Sequence, residues 1–93
     1  QGHVQVLCNI VDWGMEPQTA LDAPRFRVVG DAVALEPHWP AAARAALSAL
    51  GHQFVPVPEM GSFGGGQIVM VDRQSGALLG ASDPRKDGCA IGW

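Results

Sequence analysis

Few residues in this sequence carry reactive chemistry, and those that do stand far apart. The candidate nucleophiles are Thr19, Ser48 and Ser62, with Cys8 and Cys89 as thiols. Such a group becomes reactive only when a base and oxyanion donors lie within hydrogen-bond reach. Thr19 falls inside a short predicted helix with no free amine of its own, and Ser48 falls mid-helix among alanines, so both read as surface residues. Ser62 sits in the cluster Gly61-Ser62-Phe63-Gly64-Gly65-Gly66, and with Gly64 and Gly65 it is a candidate for holding a small anion on backbone N–H groups. The run matches no phosphate loop, because no lysine follows and the next element reads as a strand, so a flexible connection into a hairpin is the plainer reading.

His3, His38 and His52 share no metal-ligand spacing, and no metal or other cofactor is expected. Cys8 and Cys89 read as two free, partly buried thiols rather than a disulfide. Asp83 and Asp87 flank Arg85 and Lys86 and suggest a local ion-pair and turn network, not an acid/base pair. His3 reads as a core histidine on a buried helix. No catalytic residue is therefore expected within this chain.

The elements that would position these groups alternate between helix and strand. Apolar residues at Val4, Leu7, Cys8 and Val11 mark a helix over 3–13, and Val6, Ile10 and Trp13 fill its opposite side, which predicts burial nearly all round. Gly14 closes it, Pro17 opens a short helix through Leu21, and the residue before Pro24 cannot continue it. Residues 25–35 read as an extended segment turning at Gly30-Asp31. Pro40 opens an alanine-rich helix over 41–50 that stops at Gly51. Phe54 to Val57 is an edge strand at best, since Pro56 and Pro58 remove ladder donors. Residues 67–71 and 77–81 form a hairpin around Asp72-Arg73-Gln74-Ser75-Gly76. The predicted class is α/β or α+β with a mainly antiparallel sheet, as a single domain over residues 1–93.

Composition narrows the partners. Of 93 residues, 47 % are hydrophobic and only 16 % charged, which points to surfaces made to meet other protein and to self-association of the chain in isolation. The net charge of −3 comes without a basic stripe, so nucleic acid is not expected as a partner. No apolar run approaches the ~20 residues that a membrane span needs. With Gln1 rather than Met in first place, the sequence reads as one whose beginning lies upstream, and the compartment stays open between cytoplasm and export.

Two tetrapeptides point further: Asp22-Ala23-Pro24-Arg25 with Phe26, and Ser82-Asp83-Pro84-Arg85 with Lys86-Asp87-Gly88 and an aromatic end at Trp93. Between and before them stand Asn9, Asp12 and Gly14-Met15, then Glu36-Pro37, Gly51-His52, Met60-Gly61-Ser62 and Gln67 to Asp72. In this order they resemble the C-terminal part of the γ-glutamyltranspeptidase family, over essentially the whole chain. The resemblance implies the αββα sandwich of N-terminal nucleophile hydrolases and a precursor that cuts itself into a large and a small subunit. It also implies a threonine nucleophile and paired oxyanion glycines, both upstream of Gln1, acting on γ-glutamyl amides such as glutathione. Its partners would be the rest of the small subunit and the large subunit. Arg25 and Arg85, with Asp22 and Asp83 of the same motifs, become candidates for assembling and maturing the precursor; ordinary surface ion pairing is the competing reading. A cephalosporin-acylase-like amidase and a non-catalytic interaction module are the alternatives. Trp93 stands where the family often ends in tyrosine.

Overall fold

The chain turns where glycine permits positive φ and breaks where proline forbids helix. The computed structural model describes residues 1–57 and 61–92; Pro58, Met60 and Trp93, on which the sequence reading drew, lie outside the described residues. Helix α1 (Gly2–Val11) is followed by Gly14 at φ +65° and a Met15 N–H bond to the Asn9 carbonyl, which together close the helix. Helix α2 (Pro17–Asp22) begins on proline and ends at Ala23, whose ψ of 137° is the extended geometry required ahead of Pro24.

Strands β1 (Phe26–Val29) and β2 (Ala32–Leu35) pair antiparallel around Gly30 at φ +60°. Helix α3 (Ala41–Ala49) then crosses to β3 (Phe54–Val55), which joins β2 in parallel and completes a sheet of order β1-β2-β3. The crossover through a helix is what permits the parallel pairing. β3 lies at the sheet edge, with Pro56 directly after it, and Arg44 of α3 stands over the Phe54 ring at 5.3 Å. β4 (Gln67–Val71) and β5 (Leu78–Ser82) form a separate antiparallel hairpin. The chain is thus α+β with mainly antiparallel pairing.

The expectation that α1 is buried nearly all round is overturned. None of its residues is buried; Val4, Leu7 and Val11 are 60–76 % exposed, and His3 is exposed rather than in a core. Only one side of the helix meets the chain, through Gln1 and Gln5 on β1 and Asn9 on the Ala20 carbonyl. Among the described residues nothing covers the remainder. The apolar core is correspondingly thin, consisting of Ala20 and Leu21 of α2, Ala34 and Leu35 of β2, Phe63, and Ala81 of β5. The radius of gyration is 15.1 Å, against about 12 Å for a self-contained domain of this length. Into this small core the chain buries two charged side chains, Arg25 and Asp83.

Candidate functional site

Burying a charge is tolerated only when it is paired and hydrogen-bonded, and the site is built around that requirement. The extended Ala23 delivers Arg25 from the end of α2 to the start of β1. There its Nη2 donates to Asp83 Oδ2 at 2.7 Å and to the Leu21 carbonyl at 3.3 Å, while Nη1 donates to the Phe63 carbonyl at 3.3 Å. Asp83 follows β5 and opens a turn in which Pro84 presets φ and the Lys86 N–H bonds the Asp83 carbonyl at 3.1 Å. Its carboxylate fills four acceptor positions. Oδ2 takes Arg25 and the Gly66 N–H at 2.9 Å; Oδ1 takes the Arg85 N–H at 3.0 Å and Arg85 Nη1 at 3.1 Å.

Arg85 completes the cluster through Glu36. Its Nε and Nη2 meet the two carboxylate oxygens of Glu36 side by side, the bidentate geometry that guanidinium favours. Nη1 also donates to the Leu21 carbonyl at 2.7 Å, and Nη2 to the Ala23 carbonyl at 3.0 Å. Glu36 Oε2 in turn accepts the Arg25 backbone N–H at 2.7 Å, and the Arg25 carbonyl accepts from Trp39 Nε1 at 2.9 Å. Two guanidinium groups therefore cap the C-terminal carbonyls of α2, where positive charge is favoured. The four side chains sum to zero charge.

The electrostatics follow from these bonds. Burial works against the charge on Asp83, yet the Arg85 N–H and the two guanidinium groups outweigh it and hold the carboxyl below its ordinary range. Glu36 shows the same balance, with burial opposed by Arg85 and by the Arg25 N–H, and its carboxyl is also held low. Glu36 conversely raises Arg85 above its usual value against the opposing effect of desolvation, with Asp83 adding to the rise. Asp83, Glu36 and Arg85 stay ionised at neutral pH. Such a cluster has no proton to move and acts as a clamp between segments; Arg25 Nε and two serine hydroxyls are the buried side-chain polar atoms left without partners among the described residues.

The sequence-predicted residues divide clearly. Arg25, Arg85 and Asp83 come together, whereas Asp22 lies exposed on α2 and, among the described residues, its side chain accepts only from Gln18 Nε2 at 2.9 Å. The expected local network of Asp83 and Asp87 with Arg85 and Lys86 is corrected in its reach. Asp83 pairs across 58 residues with Arg25 as well as with Arg85, while Asp87 is exposed and forms no ion pair among the described residues. The competing reading of surface ion pairs fails for Arg25, which is 4 % exposed.

In the glycine cluster, Gly66 gives its N–H to Asp83, Gly64 gives its own to the Gly61 carbonyl, and the Lys86 stem lies against Gly65. Within the cluster it is Gly66, not Ser62, Gly64 or Gly65, whose N–H holds a carboxylate, that of Asp83. Ser62, Gly64 and Gly65 also border a cleft of about 610 Å³ between α1 and β4, with Val6, Ile10 and Ile68 on its walls. Cys8 and Cys89 are free, and Asp12 together with desolvation raises the Cys8 thiol, the opposite of an activated nucleophile. The sequence reading named Glu36 and Gly66 but gave neither a place in this site. The Glu36-Pro37 pair after a predicted strand was the one available signal, and it gave no indication of the partner.

The sequence model of the family described as Gamma-glutamyltranspeptidase matches residues 1–93. The chain is 34 % identical over 88 residues to the acylase ACY 1 proenzyme of Pseudomonas sp. strain SE83, covering 95 % of this chain and 15 % of that protein. It resembles the crystal structure of cephalosporin acylase from Bacillus halodurans with a TM-score of 0.91 and 43 % identity, over 99 % of this chain and 17 % of that one. An acivicin-inhibited γ-glutamyltranspeptidase, described as revealing critical roles for its C-terminus in autoprocessing and catalysis, matches with a TM-score of 0.78 and 30 % identity over 94 % of this chain and 47 % of that one. The chain therefore spans about a sixth of the length of the acylases it matches.

Proposed function

This chain belongs to the γ-glutamyltranspeptidase family, and from that premise we propose that residues 1–93 are a non-catalytic structural unit of the small subunit of a longer, self-cleaving precursor. The precursor transfers or hydrolyses γ-glutamyl groups of glutathione-like amides, using a threonine nucleophile supplied by the remaining polypeptide. One observation carries this reading: the two family motifs converge on a closed, neutral clamp of Arg25, Asp83, Arg85 and Glu36.

A clamp of this kind acts on assembly. It ties the segment after β5 to the end of α2 and the start of β1, so the motifs can bond only once their elements are in place. Its partners are the remainder of the small subunit and the large subunit, and the exposed row Val4, Leu7 and Val11 on α1 is the surface that meets them. In isolation the same row drives self-association.

An acylase acting on cephalosporin-type amides is the second reading. It is favoured by 43 % identity to a cephalosporin acylase, against 30 % to a γ-glutamyltranspeptidase. Assaying the longer precursor on a γ-glutamyl anilide and on a cephalosporin side-chain amide separates the two.

The structural role is tested by Arg85→Ala in that precursor. Self-cleavage falls by at least about tenfold while KM of the processed fraction stays near wild type. Arg85→Lys does not rescue it, because an ammonium cannot make the bidentate contact. Normal self-cleavage with a raised KM would overturn the reading.

A further inference from the structure

Three glutamines each bind both backbone groups of a single strand residue. On β1, Gln5 donates to the Phe26 carbonyl at 2.8 Å and accepts the Phe26 N–H at 3.0 Å. Gln1 treats Val28 in the same way, at 3.3 and 2.7 Å. On β5, Gln18 of α2 donates to the Ser82 carbonyl at 2.9 Å and accepts the Ser82 N–H at 3.1 Å. A primary amide placed like this imitates one residue of a neighbouring strand and occupies the groups through which a sheet would grow.

Gln18 is set apart by what holds it and by what it holds. Its Nε2 also donates to Asp22 Oδ1 at 2.9 Å, one turn further along the same helix. The flipped amide would turn Oε1 toward the Ser82 carbonyl and the Asp22 carboxylate, both of them acceptors. A long side chain at an exposed position otherwise samples many rotamers, and the bond to Asp22 selects the one that reaches Ser82.

Ser82 is the residue before Asp83. Its carbonyl and the Asp83 N–H belong to one peptide unit, held at the carbonyl end by Gln18 and at the N–H end by the Gly66 carbonyl at 3.1 Å. A planar peptide bonded at both ends has its orientation fixed, and with it the direction in which the next side chain leaves the backbone. That direction matters here, because the Asp83 carboxylate must meet Arg25, the Gly66 N–H and two donors of Arg85 together. Arg85 meanwhile reaches the Leu21 and Ala23 carbonyls, so α2 and the segment 82–85 are joined at two places rather than one.

We propose that Asp22 is a positioning residue: it orients Gln18, and Gln18 fixes the Ser82–Asp83 peptide so that Asp83 enters the clamp aimed at its donors. Among the described residues Asp22 itself makes no side-chain bond to the four clamp members. The exposed acid of the first motif thus acts on the second motif through an amide. This inference rests on the reading of the clamp as the unit that assembles the precursor.

Amide hydrogen exchange and self-cleavage of the longer precursor test it. Gln18→Ala is expected to speed exchange of the Ser82 amide about tenfold, by loss of its acceptor, and of the Gly66 amide about threefold, by a less well placed Asp83. Self-cleavage slows about threefold in the same variant, with KM of the processed fraction unchanged. Asp22→Ala speeds the Ser82 amide about threefold and adds nothing in the Gln18→Ala background, where no amide is left to orient. Asp22→Asn keeps an acceptor for Nε2 and matches wild type. An Asp22→Ala effect of equal size with and without Gln18 would overturn the proposal, because Asp22 would then act on the helix itself. So would an Asp22→Asn variant as impaired as Asp22→Ala, or an unchanged Gly66 amide in Gln18→Ala. Exchange is read without activity, so the two readings fail separately. Normal self-cleavage of Arg85→Ala with Asp22 and Gln18 still coupled sinks the functional reading alone; blocked self-cleavage of Arg85→Ala with the two residues acting independently sinks this one alone.

Discussion

Arg25 and Asp83 stand 58 residues apart in the chain and meet through a 2.7 Å ion pair in which both side chains are at least 95 % buried. Neither could be buried without the other, so the pair couples the formation of the α2–β1 junction to the docking of the β4–β5 hairpin.

Asp83→Ala leaves the Arg25 guanidinium buried without its counter-charge and also orphans the Gly66 N–H. Breaking one side of a buried pair costs about 3–5 kcal/mol, which is a large share of the stability of so small a core. Urea unfolding at neutral pH checks it, and a loss under about 1 kcal/mol would mean that water or another group reaches Arg25.

Stability should fall on the acid side. Asp83 and Glu36 are both held below their ordinary carboxylate range when folded, so the unfolded chain takes up protons first as the pH drops. Their contribution is complete above the unfolded values, near pH 4 to 4.5, and is lost as pH falls through the lower folded values. Denaturation midpoints at pH 7, 5 and 3 should show little change over the first interval and a clear drop over the second. Asp83→Asn combined with Glu36→Gln flattens that acid limb.

Two neighbouring glycines should respond differently to a methyl group. A Cβ on Gly66 would lie 2.8 Å from Leu21 Cδ2, in the core, and overpacking of this kind costs about 1–3 kcal/mol. At Gly65 the obstruction is the stem of exposed Lys86, met at Cγ, which can swing aside. Thermal unfolding of Gly66→Ala and Gly65→Ala should therefore show the larger loss at position 66; the reverse order would place Lys86 in a rigid contact.

Gln5→Glu removes the donor that caps the Phe26 carbonyl and keeps an acceptor for the Phe26 N–H. The loss of one exposed hydrogen bond is about 0.5–1.5 kcal/mol, and the added charge still guards the edge. Gln5→Ala loses both bonds to Phe26, costs about twice as much, and bares the edge. Light scattering at matched concentration should rise for the alanine variant and not for the glutamate variant, and equal behaviour of the two would show that the β1 edge is not an aggregation route.

The turns and element ends were legible locally. Gly30, Gly51 and Gly76 all take positive φ where the sequence called for it, at 60°, 98° and 76°, and Pro24 ends α2 as its ring requires. These features depend on sterics between near neighbours, and the residue types carry them directly. Arg25, Asp83 and Arg85 were visible as motif members, but Glu36 was only half of a Glu-Pro pair, and the glycine cluster, read as a connection into the hairpin, gave no sign that the Gly66 N–H meets Asp83.

The sequence alone thus determined, to within a residue or two, where helices and strands begin and stop, the predominance of antiparallel pairing and the prominence of two arginines. Tertiary structure decided the rest: the parallel register of β3 on β2, the fourth member of the clamp, the glutamines that close β1 and β5, and the exposure of α1. The division has one physical cause. Backbone sterics act within about four residues, whereas a buried charge or an open strand edge selects its partner by position in space, and that position exists only after the distant segments have met.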